Sequence, residues 1–303
     1  MLNGIREILS KLDNDGIWSI KLLKLHSSAR EGFSCAAREI KFESEEALRH
    51  HVEDIKVKYL GNKPLIEKYQ DVREYDGTTE EDIIYELDAK NDLIKESYEI
   101  VMSSLVDADH EGDPLKDKYS AYALSGVIDN KPIYLFSMQS PFVNMQKKYL
   151  LDKTTFKKID KPVLSLRLNI DVLIYDDKVY FFNMSGEKLF NMERAYKIVC
   201  DYRISDVVES GILVENEEFK KIASAGTNPR RLVSFNTEYL ERLKNKKTRE
   251  KIAKKFDIPI REGKFDTEQD GAADKLIRVL CKKGMVDPFD SEPMEVSGTR
   301  SWS

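Results

Sequence analysis

The sequence is poor in the residues that build covalent frameworks and metal centres. Its 303 residues include three cysteines, Cys35, Cys200 and Cys281, spaced far apart. An odd, scattered set does not make a disulfide framework and fits a reducing compartment. All four histidines, His26, His50, His51 and His110, precede residue 111, and none joins a cysteine at metal-ligand spacing, which argues against a zinc site. No run approaches the ~20 apolar residues that a membrane span needs. The longest, such as Val179–Phe182, are strand-sized. The opening MLNGIREILSKLDND carries acidic residues and no long apolar stretch, so no secretory signal is expected and the chain reads as cytoplasmic. A phosphate-cradling GxxxxGK, a GxSxG elbow and an HExxH helix are also missing. No cofactor, metal or catalytic residue is expected.

What the chain does have is charge, unevenly spread. Apolar residues make up 41% and charged residues 34%, enough for a core beneath a heavily solvated surface. The net charge of −5 hides a polarised chain. Residues 41–118 hold 22 acidic and 11 basic residues, whereas residues 220–261 hold 13 basic and 4 acidic. Residues 147–161 add six lysines against two aspartates.

The pattern of apolar residues predicts an α+β fold. LNGIREILSKL reads as a short helix, and Trp18–Leu25 and Ala36–Phe42 read as strands. Ser44 is placed to cap a helix running to about Lys58. Ile66–Tyr75 reads as a strand, and Glu80–Val106 as one or two helices. The acidic stretch 107–118, with Gly and Pro, predicts a boundary between a mixed domain over 1–110 and a second domain over 119–303. In the second, Tyr119–Ile128, Pro132–Gln139, Val163–Ile170, Asp171–Tyr175 and Lys178–Asn183 predict an antiparallel meander. The pairs Asp129-Asn130 and Asp176-Asp177 would form its hairpin turns. Helices follow at about Met192–Tyr202, Asn216–Ala225 and Gly271–Lys283, with SGTRSWS as a frayed end or edge strand.

Between the last two of these helices, NTEYLERLKNKKTREKIAKKF (236–256) is the most informative segment. Leu243 and Ile252 are nine residues apart, and at about 100° per residue one continuous helix would put them on opposite faces. Two helices joined near Asn245 resolve this, the second burying Ile252, Ala253 and Phe256. Lys247, Lys251 and Lys254 then line the outer face at i, i+4, i+7. A lysine row can be ordinary solvation, but a solvated helix usually interleaves glutamate, and here only Glu250 interrupts the run. Unpaired cations fit phosphate backbones, with anionic lipid or an acidic protein as competitors. Arg230, Arg231, Lys246 and Lys255 are expected to join them. Lys147-Lys148 and Lys157-Lys158 form a second basic patch, with Tyr149 and Phe156 among them, that suits single-stranded nucleic acid, whose bases can stack.

Two acidic patterns compete. Asp107, Asp109, Glu111 and Gly112 match the start of an EF-hand loop, but Lys118 stands where the last position needs a bidentate glutamate. Asp160, Asp176, Asp177 and Lys178 bear a vague likeness to the acid–lysine array of a metal-dependent nuclease, although Asp176-Asp177 is also turn chemistry.

The runs YSAYALSGVIDNKPIYLFSMQ and FKKIDKPVLSLRLNIDVLIYDDKVYFFNMSGEKLFNMERAYK, with the later FNTEYLERLKNKKTREKIAKKFDIPI and FDTEQDGAADKLIRVLCKKGMVDP, resemble the KwaB-like family over roughly residues 119–290. KwaB is the second component of the Kiwa anti-phage system of bacteria. The resemblance implies a DNA-binding subunit that meets phage DNA near the inner membrane, recruited there by KwaA, a small multi-pass membrane protein. It supplies no catalytic residues. A homo-oligomer is expected, because pairing raises the affinity of basic DNA-binding subunits. The alternatives are the nuclease and an interaction module for an acidic protein or anionic lipid.

Overall fold

The computed structural model describes residues 4–12, 16–28, 30–61, 68–74, 83–108, 119–139, 148–152, 155–159, 166–269, 271–281, 284–286 and 293–295. The chain forms two compact units, residues 1–69 with 82–191 and residues 70–81 with 192–303. The fold is α+β.

The first unit carries α1 (Ile5–Ser10), β1 (Ser19–Ser28), β2 (Gly32–Ile40), α2 (Glu45–Leu60), β3 (Lys68–Asp71, which crosses the division), β4 (Ile83–Asp88), α3 (Lys95–Val106), β5 (Ala121–Ile128), β6 (Lys131–Met138), β7 (Lys148–Asp152), β8 (Thr155–Ile159), β9 (Val172–Tyr175) and β10 (Lys178–Phe181). Eight strands make one sheet in the order β2-β1-β5-β6-β9-β10-β4-β3, and β7–β8 is a separate hairpin. The turns between β5 and β6 and between β9 and β10 are the expected ones. Asp129, Asn130, Asp176 and Asp177 all take positive φ, 48° to 60°, the geometry of a two-residue turn whose twist matches the flanking strands.

Alternation along the strands gives the sheet two buried faces. Leu22, Tyr122, Leu124 and Leu173 face one way and share a core with α1 and α2. Their neighbours Leu23, Ala121, Ala123 and Val172 are buried on the other face, the side of α3 and a 3-10 helix at Met184–Phe190. The Ser44 hydroxyl caps α2 by accepting the Ala47 N–H at 3.1 Å.

Three expectations need correction. Ile83–Asp88 is a strand, not a helix: its IIYELD run pairs with β10, Tyr180 opposite Glu86, and a place inside the sheet outweighs the local helix signal. Residues 166–170 are not in a strand, because side chains take their backbone groups. The Tyr59 hydroxyl accepts the Ile170 N–H at 2.7 Å and donates to the Ile170 carbonyl at 3.2 Å, and the Tyr122 hydroxyl donates to the Arg167 carbonyl. Burial raises both phenols, Tyr59 to about 12. Finally, the units do not divide at 110–118. Strands from both sides of that stretch join one sheet, with Leu22 opposite Tyr122. Residues 109–118 themselves, with most of the EF-hand-like pattern, lie outside the described residues, as does the SGTRSWS tail.

The second unit is mostly helical: α4 (Met192–Glu209), α5 (Glu217–Ala223), α6 (Asn228–Arg231), α7 (Thr237–Leu243), α8 (Lys246–Phe256) and α9 (Ala272–Leu280). Two small hairpins accompany them, β11 (Ile260–Arg261) with β12 (Lys264–Phe265), and β13 (Gly284–Val286) with β14 (Pro293–Glu295). Phe219, Phe265, Leu276 and Leu280 are fully buried at its centre.

Two measurements test this packing. A Cβ on Gly186 would sit 2.3 Å from Val172 Cγ2, so Gly186→Ala is predicted to cost about 1–3 kcal/mol by overpacking; unchanged denaturant unfolding would contradict it. Asp171 is buried, accepting the Met138 N–H at 2.6 Å and the Ser185 hydroxyl at 3.0 Å, and burial still raises its pKa above 3.8. With the folded pKa raised, the native state binds the proton first as pH falls. Wild type is therefore predicted to gain stability relative to Asp171→Asn as pH drops from neutral towards 3.8, and to gain nothing further below it. Parallel stability–pH curves would contradict this.

Candidate nucleic-acid interface

The segment 236–256 folds as two helices meeting at Lys244–Asn245. Each begins at an asparagine. Asn236 Oδ1 accepts the Tyr239 N–H at 3.1 Å, and Asn245 Oδ1 accepts the Thr248 N–H at 3.2 Å. These caps satisfy donors that a helix start leaves open and fix where α8 begins. From that start, Ala253 and Phe256 are buried and Ile252 packs against the same core. Lys247, Lys251, Lys254 and Lys255 fall on the outer face and are exposed.

These four lysines form no ion pair among the described residues, because the neighbouring carboxylates are engaged elsewhere. Glu250 faces Lys246 at 3.9 Å, and Asp257 takes the Lys275 ammonium at 2.9 Å. Lys255 lies over the Phe256 ring, 5.6 Å from its centroid. The other cations of the basic stretch are mostly matched: Lys220 with Glu217, Lys221 with Glu218, Arg242 with Glu238, Lys244 with Glu241 and Arg261 with Asp266. Glu217 and Glu218 lie just before residues 220–261, so the excess of cation in that stretch concentrates on α8.

Lysine at the start of a helix also opposes the helix dipole, whose positive end lies there. The first turn of α8 has no acidic residue and carries Lys246 and Lys247. The arrangement sacrifices some helix stability for surface charge, as binding surfaces commonly do.

The remaining expected contacts divide. Arg231 is only 15% exposed; it donates to Asn228 Oδ1 at 3.1 Å and faces Asp274 at 3.5 Å. The Arg230 guanidinium lies over Tyr196, 5.1 Å from the ring centroid. Both are committed to packing inside the unit, a role that sequence spacing does not reveal. Lys147 lies outside the described residues. Lys148 pairs with Ile159 across the β7–β8 hairpin through its backbone, and its side chain is not described.

The nuclease-like residues do not assemble an acidic site among the described residues. Asp176 holds Lys131 at 2.5 Å, Lys178 holds Glu86 at 3.2 Å, and Asp160 lies outside them. No group of three His, Cys, Asp or Glu there is placed to hold a metal ion. Asp176 and Lys178 instead line a cleft of about 630 Å³ in the first unit, with Lys11 held by Asp129 at 2.7 Å. Each of its three lysines is matched by a carboxylate, unlike those of α8. Among the described residues no helix is long and apolar enough to cross a membrane.

The helix dipole sets stability and binding against each other at the start of α8. Lys247→Glu is expected to raise stability by about 0.5–1 kcal/mol, through the helix start and an i,i+4 pair with Lys251, while removing a surface cation. Arg231→Ala is expected to cost about 2 kcal/mol by leaving Asp274 with less of its charge matched. Thermal unfolding of both variants checks this; a destabilised Lys247→Glu protein would contradict it.

No curated protein and no solved structure matches the chain. The family comparison matches residues 116–284 to "Kiwa protein KwaB-like". That stretch runs from before β5 to the first residue of β13 and takes in α8 with its lysines. It covers more than half of the sequence, and the chain belongs to the KwaB-like family of Kiwa proteins, which suggests a role in anti-phage defence.

Proposed function

We propose that this protein binds DNA without regard to base sequence through the outer face of α8, as part of Kiwa defence. The observation that carries the reading is the set of four exposed lysines, Lys247, Lys251, Lys254 and Lys255, left without carboxylate partners among the described residues. Phosphates of a nucleic acid are spaced for such a row, and each contact releases a condensed counterion. Contacts of this kind position a protein on DNA and carry no base information. Lys246, whose only pairing among the described residues is the loose one to Glu250, extends the surface at the start of α8. Arg230 and Arg231, engaged by Tyr196 and Asp274, are not phosphate contacts in this reading. In this reading the protein works in the cytoplasm beside a KwaA-like membrane partner, which supplies the anchor, and copies of the chain pair to raise avidity.

Binding is measured by fluorescence anisotropy over a salt series. Four phosphate contacts predict a slope of log K against log salt of about −3 to −4, from ~0.9 per contact. Replacing Lys247, Lys251 and Lys254 together by Glu should abolish binding at moderate salt. Unchanged binding would remove α8 from the account. Retention on anionic vesicles or on an acidic protein, with no affinity for DNA, would favour the interaction-module reading.

A further inference from the structure

Arg249 sits in the middle of the basic run but differs from the lysines around it in one respect: its guanidinium is already occupied. Nη1 donates to the carbonyls of Leu243 and Lys244, each at 2.8 Å, and Nε donates to the carbonyl of Gly263, also at 2.8 Å. The first two oxygens belong to the C-terminal end of α7, where carbonyls lack intrahelical donors. The third belongs to the turn of the β11–β12 hairpin. One side chain of α8 thus ties together the helix before it and the hairpin after it.

The hairpin is a firm anchor. Glu262 and Gly263 both take positive φ, 55° and 74°, a tight two-residue turn. The following residue but one, Phe265, is fully buried. Its N–H goes to the Ile212 carbonyl at 2.9 Å, and its carbonyl accepts the Val214 N–H at 3.0 Å. At the other end of α8, Lys275 donates to the Asp257 carbonyl at 2.9 Å. The helix that carries the lysines is therefore held at both ends, and its first turns are held by Arg249.

We infer that Arg249 is a positioning residue of the DNA-binding surface: it makes no phosphate contact itself and fixes the direction in which α8 presents Lys247, Lys251 and Lys254. The inference rests on the DNA-binding reading above. Three carbonyls in two directions need the planar fork of a guanidinium. A lysine ammonium keeps the charge but is a single point and does not span them. Charge and geometry are therefore separable at this position.

The test compares Arg249→Lys and Arg249→Ala with Lys251→Ala in the full-length protein, reading DNA affinity and its salt slope well below the unfolding temperature. Helix content by circular dichroism confirms that each protein is folded. A direct contact such as Lys251 should lower the salt slope by about 0.9 when removed. A positioning role predicts that Arg249→Lys and Arg249→Ala both lose affinity, on the order of tenfold, with the slope unchanged. Gly263→Ala attacks the same clamp from the other side, because a side chain is strained at the positive φ of 74° from which Gly263 offers its carbonyl. It should reproduce the loss while keeping Arg249, and it carries the test should the Arg249 variants unfold. Wild-type affinity in Arg249→Lys, or a slope lowered by one contact in Arg249→Ala, overturns the inference and leaves the DNA reading standing. Failure of the wild-type protein to bind DNA overturns both.

Discussion

A change of direction at Lys244–Asn245 governs which face of α8 turns its lysines to solvent. Continued through Asn245 as one helix, the chain would bury one of Leu243 and Ile252 and expose the other. The Asn245 cap ends that conflict by starting α8 afresh. Ile252, Ala253 and Phe256 then share a core with Leu240 and Leu243, and the lysines have only one face left to them. The charged surface is thus a consequence of how the apolar residues are buried, not a separate construction.

Pairing decides the rest. Four cations in the basic stretch, Lys220, Lys221, Arg242 and Lys244, are each closely matched by a glutamate three or four residues away, and exposed pairs of that kind contribute little to stability or to binding. In the first unit, Lys11, Lys131 and Lys178 are matched by carboxylates from other elements of the fold. Against that background α8 stands apart, because Lys246 draws Glu250 and Lys275 draws Asp257 away from the row. A mean charge of the chain carries none of this information; the partner of each ammonium does.

Much of this was legible in the sequence where a local physical rule had no competitor. The Asp-Asn and Asp-Asp pairs announced tight turns because short acidic and amide side chains tolerate positive φ. Ser44 announced a helix start, and the angular test on Leu243 and Ile252 announced the break at Asn245. Reading failed where tertiary structure outweighed the local signal. Ile83–Asp88 became a strand because β10 offered it a ladder, and residues 166–170 avoided one because Tyr59 and Tyr122 supply their hydrogen bonds. At the site, Arg230 and Arg231 looked like further members of a basic patch, and Arg249 lies within the same run. Only coordinates show that Tyr196, Asp274 and three carbonyls already hold them. Arginine is the residue whose many donors most often go to such internal bridging, so its spacing is a weaker sign of a nucleic-acid surface than that of lysine.

The most direct measurement is the amine reactivity of each lysine towards a small acylating reagent, with and without DNA, read by mass spectrometry. The account predicts that Lys247, Lys251, Lys254 and Lys255 react readily in the free protein and are shielded in the complex, while Lys220 and Lys221 react equally in both. Shielding of other lysines, with those four as reactive as before, would contradict it.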